Sequence, residues 1–224
     1  MTATIRVEEL FPQIIHVHAT KGVELAKTFI RFQEHYESPR FAGETFTLEE
    51  YATWYTANST KGKATGKFTY YTDWRGFNIP SKIITSFREG KFDPLSEREQ
   101  WLLEQLPNTA APFYVIGTAG KHTDPTHPDN DVLRHEIAHG FYFTKPSYHH
   151  IANSIVNATN NDFVEQIQHM LRQLGYAERV FQDETHAYMG ESPLWLREKG
   201  VAAVDKESVA AIRDLFKLSA GFDR

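Results

Sequence analysis

One short segment of the chain places two histidines and a glutamate within little more than one helical turn. His135, Glu136 and His139 form the pattern HExxH, and apolar residues surround them in the sequence. Residues 129–131 supply Asp and Asn oxygens suited to cap the start of a helix. On a helix, side chains four positions apart point the same way, so the two imidazoles converge with a carboxylate beside them. The pattern predicts a helix that binds a metal ion.

The chain contains no cysteine. This excludes disulfides, thiol catalysis, iron–sulfur clusters and zinc sites built on thiolates. A zinc ion must therefore bind through imidazole and carboxylate groups. Three such ligands and one open position are typical of catalytic zinc, whereas structural zinc sites are usually closed and rich in cysteine. The composition thus favours a catalytic site with one Zn²⁺ per chain.

Length and composition are those of an ordinary globular protein, with 224 residues, 41% hydrophobic and 24% charged. We predict one α+β domain over 1–224, with a mixed N-terminal part over about 1–110 and a mostly helical metal-site part over about 111–224.

The net charge of −5, with no run of Lys and Arg to reverse it, disfavours a nucleic-acid or anionic-membrane partner. No secretory signal or membrane-length apolar run is recognisable, so we expect a cytoplasmic protein, although a processed secreted chain would read the same way.

Periodicity and capping signals predict the elements of the N-terminal part. Strands are predicted at 14–18, 68–72 and 83–87, with a turn at 76–80. A helix is predicted at 23–36, and capping boxes at Thr47 with Glu50 and at Ser96 with Glu99 predict the starts of two more. His16 and His18 alternate on one face of the first strand and can chelate a metal, but a half-exposed strand with two hydrogen-bonded histidines is the favoured interpretation.

The metal-site part is predicted to consist of a strand, a loop and several helices. The strand at 113–116 precedes the HExxH helix, and we expect it to form a cleft wall to which an extended peptide adds by main-chain hydrogen bonds. Helices are predicted at 162–174, 178–189 and 205–218. A phosphate-binding loop at 117–123 is excluded because the spacing of its glycines and lysine is wrong. His122 and His127 lie in the loop before the HExxH helix and can touch a substrate, although histidines in loops are usually only solvated.

A third metal ligand is expected from the segment around residue 184. On a helix, Glu184, Ala187 and Tyr188 share one face, and the small alanine allows close approach to the HExxH helix. His186 lies about 200° around the helix from Glu184. Glu184 is therefore the preferred third ligand, with His186 second and Asp183 third.

The chain resembles the zincin metallopeptidases in these residues, and within them the gluzincins, in which a Glu on a later helix completes the site. His135, Glu136 and His139 match the motif, and Glu184 stands in the Glu-x-x-Ala setting. The resemblance implies a zincin-like fold, zinc on His135, His139 and Glu184, and a peptide or protein substrate. It also implies that Glu136 acts as general base for a zinc-activated water.

The resemblance covers the stretch 113–188 at most, and its specific part is six or seven residues. No third histidine follows at the metzincin offset. Tyr188 occupies the position, one turn after the ligand Glu, at which some gluzincins carry an aspartate that supports the site. The groups that orient His135 and His139 are therefore unassigned by the sequence.

Several residues can donate a hydrogen bond to the developing oxyanion, and two other functional classes stay open. Tyr188 has the best placement for this catalytic role. The other candidate donors are His186, Tyr142, Tyr148, His149 and His150. The alternatives to a peptidase are a non-catalytic regulatory or interaction protein on a zincin-like scaffold and a metal-dependent amidase with a small substrate.

Overall fold

The computed structural model describes residues 5–109, 111–121, 124, 131–190 and 193–221. Over these ranges the protein is α+β and mostly helical, with twelve α-helices and one four-stranded sheet. The chain divides into two compact units, Met1–Thr123 and Asp124–Arg224. In the described ranges no helix combines the length and apolar character needed to cross a membrane. His122, His127 and the candidate cap residues Asp129 and Asn130 lie outside the described residues.

The first unit contains all four strands and six helices of the described chain. In chain order they are β1 (Ile5–Phe11), β2 (Ile14–Ala19), α1 (Gly22–Glu37), α2 (Leu48–Asn58), α3 (Thr60–Thr65), α4 (Tyr70–Asp73), β3 (Gly76–Pro80), α5 (Ser81–Arg88), α6 (Glu97–Gln105) and β4 (Tyr114–Ala119). The sheet order is β1-β2-β4-β3, with β2 parallel to β4 and the other pairs antiparallel. The predicted strand at 14–18, the helix at 23–36 and both capping boxes are confirmed.

Helix α1 packs on the apolar face of the sheet. Ile15, Val17 and Ala19 alternate along β2 and are buried in this core. Gly117 of β4 permits the closest approach, because a Cβ at this position would lie 2.9 Å from the ring of Phe29. A larger residue at 117 would push α1 away from the sheet.

The two histidines of β2 are hydrogen-bonded, but their strand is buried and not half-exposed as predicted. Nε2 of His16 lies 2.8 Å, and Nδ1 of His18 lies 3.3 Å, from the Thr118 hydroxyl of the neighbouring strand. Burial lowers the pKa of His16 to about 4, so its imidazole is neutral at pH 7. These histidines serve the packing of β2 against β4.

The sequence interpretation was wrong at three places in the first unit. The predicted strand at 83–87 is helix α5, where Ile83, Ile84 and Phe87 form one buried helical face. The predicted strand at 68–72 gives way to the single helical turn of α4. The predicted turn at 76–80 is strand β3, whose closing Pro80 is compatible with an edge strand because it has no N–H to donate.

Strand β4 cannot add an extended peptide. It lies between β2 and β3, so the backbone groups on both of its sides already pair with a strand. Strand addition needs an open edge. The prediction that the strand at 113–116 forms a peptide-binding cleft wall is therefore wrong.

A carboxyl group is buried in the aromatic part of the first unit. Glu34 of α1 is 9% exposed and accepts hydrogen bonds from Ser38, Tyr51 and Tyr70. Burial raises its pKa to about 7, and the three hydrogen bonds oppose that shift. The folded protein thus keeps a proton on Glu34 at pH values where the unfolded chain has lost it.

We expect Glu34→Gln to remove a pH-dependent loss of stability. Between about pH 4.5 and pH 7 the folded state binds the Glu34 proton and the unfolded state does not, so the wild-type free energy of unfolding falls as pH rises. The fall attributable to this group is about 3 kcal/mol. Urea unfolding of both proteins at pH 4 and pH 8 should show the variant gaining this amount relative to wild type. An equal pH dependence in the two proteins would contradict the prediction.

The described elements of the second unit are all helical. They are α7 (Asp131–Thr144), α8 (Pro146–Ala158), α9 (Asn161–Leu174), a short 3-10 turn (Glu178–Val180), α10 (Phe181–Met189), α11 (Pro193–Glu198) and α12 (Lys206–Ala220). Helix α9 ends at Gly175, which adopts the left-handed conformation. Helix α10 is central, because it contacts α7, α8, α9 and α12. The helices predicted at 162–174, 178–189 and 205–218 are confirmed, whereas α8 was not predicted.

Candidate metal centre

Helix α7 presents both motif histidines on the side away from its apolar stripe. Leu133 and Ile137 are completely buried and lie about 200° around the helix from His135 and His139, respectively. His139 is also fully buried, and the side chain of His135 is 10% exposed. The two Nε2 atoms lie 3.1 Å apart. The periodicity of α7 therefore directs two nitrogen ligands to one point.

Helix α10 brings Glu184 to the same point. Its carboxylate is 1% exposed, with Oε2 3.6 Å from Nε2 of His135 and Oε1 3.5 Å from Nε2 of His139. Oε2 accepts no hydrogen bond from any described residue. These three residues form the one group of histidine and acidic side chains within the described ranges that can hold a metal ion. His186 and Asp183, the other candidates for third ligand, do not belong to this group.

The spacing of these three groups fits a tetrahedral metal site. Zinc binds His nitrogen and carboxylate oxygen at about 2.0 to 2.2 Å, so neighbouring ligand atoms of a tetrahedron lie about 3.3 to 3.6 Å apart. The observed separations of 3.1, 3.5 and 3.6 Å are close to these values. Two imidazoles and one carboxylate are also a donor set known from catalytic zinc sites with an open fourth position. A cation held by these three groups would account for the buried Glu184 carboxylate and its oxygen without a hydrogen-bond partner.

Asp183 supports the site from outside the ligand group. Its Oδ1 lies 2.8 Å from Nδ1 of His139. A proton on Nδ1 donates to this carboxylate, which leaves the Nε2 lone pair of His139 directed at the metal position. The sequence offered Asp183 only as a third-choice ligand, and its role as the partner of His139 was missed. The adjacent Asp-Glu pair on one helix was the signal, since the two side chains lie about 100° apart on α10.

The protonation states of this pair suit metal binding. Burial lowers the pKa of His139 to about 4, with the Glu184 carboxylate opposing the shift. Burial raises the pKa of Asp183 to about 6, and nearby histidines oppose that change. At pH 7 the imidazole is therefore neutral, the form that binds metals, and the carboxyl group is ionised.

We expect Asp183→Asn to weaken zinc binding by about 10-fold to 100-fold without abolishing it. Asparagine keeps the shape of the side chain but removes the charge that makes His139 a stronger ligand. Competition with a chelator of known affinity would measure the change. Asp162→Asn, at an exposed position of α9, is the matched control and should leave zinc affinity unchanged. Equal affinity of Asp183→Asn and wild type would contradict the role of Asp183.

His186 belongs to a stack of rings beside the site. It is fully buried, its Nδ1 contacts the backbone oxygen of Asp183, and its ring stacks on Tyr142 at 4.7 Å between centroids. Tyr142 stacks on His149 on its other side, at 4.0 Å. The rings of His186 and His139 lie 6.1 Å apart. Nδ1 of His186 lies 3.5 Å from Oδ1 of Asp183, so one end of the stack lies against this carboxyl group.

Tyr188 packs closer to a candidate metal-ligand ring than His186 does. Its ring packs edge-on against His135 with centroids 4.6 Å apart, and Trp195 stacks on it at 5.3 Å. Its hydroxyl lies 3.4 Å from that of Tyr176. Trp195 and Tyr176 were not recognised in the sequence, because nothing local in the chain relates them to the motif.

Tyr142 and His149 are engaged elsewhere, whereas the Tyr148 hydroxyl is buried with no hydrogen-bond partner among the described residues. The Tyr142 hydroxyl donates to Asn153 over 2.7 Å, and His149 Nδ1 contacts the Tyr142 backbone oxygen at 3.1 Å. Tyr148 is buried against Phe141, and His150 is exposed on α8. Among the six candidates, placement favours Tyr188.

Glu136 follows His135 in α7 and is 5% exposed. A buried carboxyl group that directly follows a candidate metal ligand in the chain is a candidate proton acceptor. The second unit holds all residues of the predicted site, with the three candidate metal ligands on α7 and α10.

Comparison with known protein families, with curated proteins and with solved structures finds no match for this chain.

Proposed function

We propose that this protein is a zinc-dependent peptidase of the gluzincin type that hydrolyses peptide bonds in a peptide or protein substrate. The observation that carries the proposal is the convergence of His135, His139 and Glu184, with the buried Glu136 directly after His135 in α7. The motif HExxH and the later glutamate on a separate helix support the zincin assignment.

Each residue has a role that follows from its position. Zinc, when bound, supplies a Lewis acid for the substrate carbonyl and lowers the pKa of a water molecule to about 7. Glu136 accepts the proton of the attacking water as general base. Tyr188 is held between His135 and Trp195. Its hydroxyl donates a hydrogen bond to the carbonyl oxygen as negative charge develops there. Asp183 keeps His139 in the tautomer that binds the metal.

The test is hydrolysis of an unfolded protein substrate such as casein by the protein stripped of metal and then reloaded with zinc. We expect activity to disappear with the metal, to return with it, and to depend on Glu136. A protein that binds one zinc and cleaves no substrate would overturn the enzymatic proposal and favour a regulatory or interaction protein on the same scaffold.

A further inference from the structure

A groove of about 300 Å³ on the second unit is lined by four cationic side chains. They are Arg197 of α11 and Lys206, Arg213 and Lys217 of α12. Among the described residues that line it, Asp214 is the one acidic residue. We call it the α11–α12 groove. Its side chains are mainly positive, whereas the whole chain has a net charge of −5.

The cations are scattered in the sequence but share one face of α12. Lys206, Arg213 and Lys217 are seven and then four residues apart, which places them within about 20° of one line along the helix. The sequence shows no run of basic residues because acidic residues such as Glu207 and Asp214 stand between them. The fold, and not the order of residues, creates the basic surface.

Three of the four cations make no strong ion pair with a described residue. Within the described ranges Arg197 and Lys206 make no ion pair, and both are exposed. Lys217 lies 3.9 Å from Asp214, but both side chains are mostly exposed, so this pair is weak. Nε of Arg213 donates to the backbone oxygen of Gly190 over 3.2 Å, which fixes one cation at the edge of the groove.

The extent of the groove favours a chain-like ligand over a small anion. Lys206 and Lys217 are eleven residues apart on α12, or about 16 Å along its axis. A single phosphate cannot reach both, whereas an extended peptide covers that distance in about five residues. Val204, Val209 and Ala210 supply an apolar floor for a side chain of such a peptide.

A polypeptide fits this surface better than a nucleic acid does. The described residues that line the groove include no aromatic ring that could stack on a base. Asp214 would also repel a phosphate backbone, while an acidic peptide can place a polar or apolar residue opposite it.

We propose that the α11–α12 groove binds an extended acidic segment of a partner protein. Carboxylates of the segment pair with the four cations, and an apolar side chain of the segment rests on Val204 and Val209. The groove contains none of the metal ligands, so this proposal is independent of the proposed peptidase activity.

The test is fluorescence anisotropy of the full-length protein with a labelled peptide of glutamates around a central leucine. We expect saturable binding that is equal with zinc and with chelator, is weakened by added NaCl, and is absent for the same peptide with glutamine at each glutamate. Lys206→Glu with Lys217→Glu should weaken binding about tenfold or more. Lys63→Glu with Lys67→Glu changes the net charge equally at exposed positions of the first unit, and it should change binding less than twofold.

Three outcomes would overturn the proposal. They are absence of binding to the acidic peptide, equal weakening by the two double variants, and tighter binding of a single-stranded oligonucleotide than of the peptide. Lys217 lies in the last turn of α12, where a glutamate would be unfavourable for the helix. Lys206→Gln with Lys217→Gln is a second variant that avoids this negative charge. It should also weaken binding, in proportion to the charge removed.

Discussion

Glu136→Gln should lower the rate of peptide hydrolysis by about 10³-fold and leave the bound zinc in place. Glutamine fills the same buried space beside His135 but cannot accept a proton at neutral pH. Glu136 is not one of the three converging ligands, so zinc affinity should change little. The loss should fall on kcat, since proton transfer takes place in the transition state and not in substrate binding.

The measurement compares kcat, KM and zinc content of Glu136→Gln with those of wild type and of Glu198→Gln, an exposed glutamate of the same unit. The control should retain both activity and metal. Unchanged hydrolysis in Glu136→Gln would remove it as the base. Loss of zinc in this variant would show that Glu136 has a structural role in the site.

His139→Ala should abolish the stabilisation that zinc gives to the folded protein. A ligand that binds only the folded state, present at a thousandfold excess over its Kd, raises the free energy of unfolding by about 4 kcal/mol. The proposed metal would tie α7 to α10, and α10 also contacts α8, α9 and α12. Without the imidazole of His139, one of three protein ligands is lost and Asp183 has no partner to orient.

Urea unfolding in the presence of zinc and in the presence of a chelator gives, for each protein, the increase in the free energy of unfolding that zinc causes. The comparison within one variant removes any general loss of stability caused by the cavity at the buried position 139. His150→Ala, at an exposed histidine of α8, should keep the full increment. The same increment in His139→Ala and wild type would exclude His139 as a ligand.

The parts of the site that depend on one helix could be predicted from the sequence. His135 and His139 converge because they are four residues apart, and Glu184 was selected because it shares a face with Ala187 and Tyr188. The position of Asp183 could not be predicted in this way. It depends on how α10 is rotated against α7, and that rotation is set by the packing of several helices.

The fold shows the same division between local and non-local information. Capping boxes predicted the starts of α2 and α6, because the hydrogen bonds of a cap lie within four residues. The segment 83–87 was predicted as a strand because β-branched and aromatic residues favour strands. It is helical because Ile83, Ile84 and Phe87 together cover the core from one helix face, a tertiary effect that outweighs propensity.

Zinc binding by His135, His139 and Glu184 is tested by elemental analysis of the purified protein, of Glu184→Ala and of His186→Ala. We expect about one zinc per chain in wild type and in His186→Ala, and clearly less in Glu184→Ala. Wild-type protein that stays free of metal after zinc is supplied, or equal zinc content in Glu184→Ala and wild type, would contradict the proposed His135, His139 and Glu184 centre.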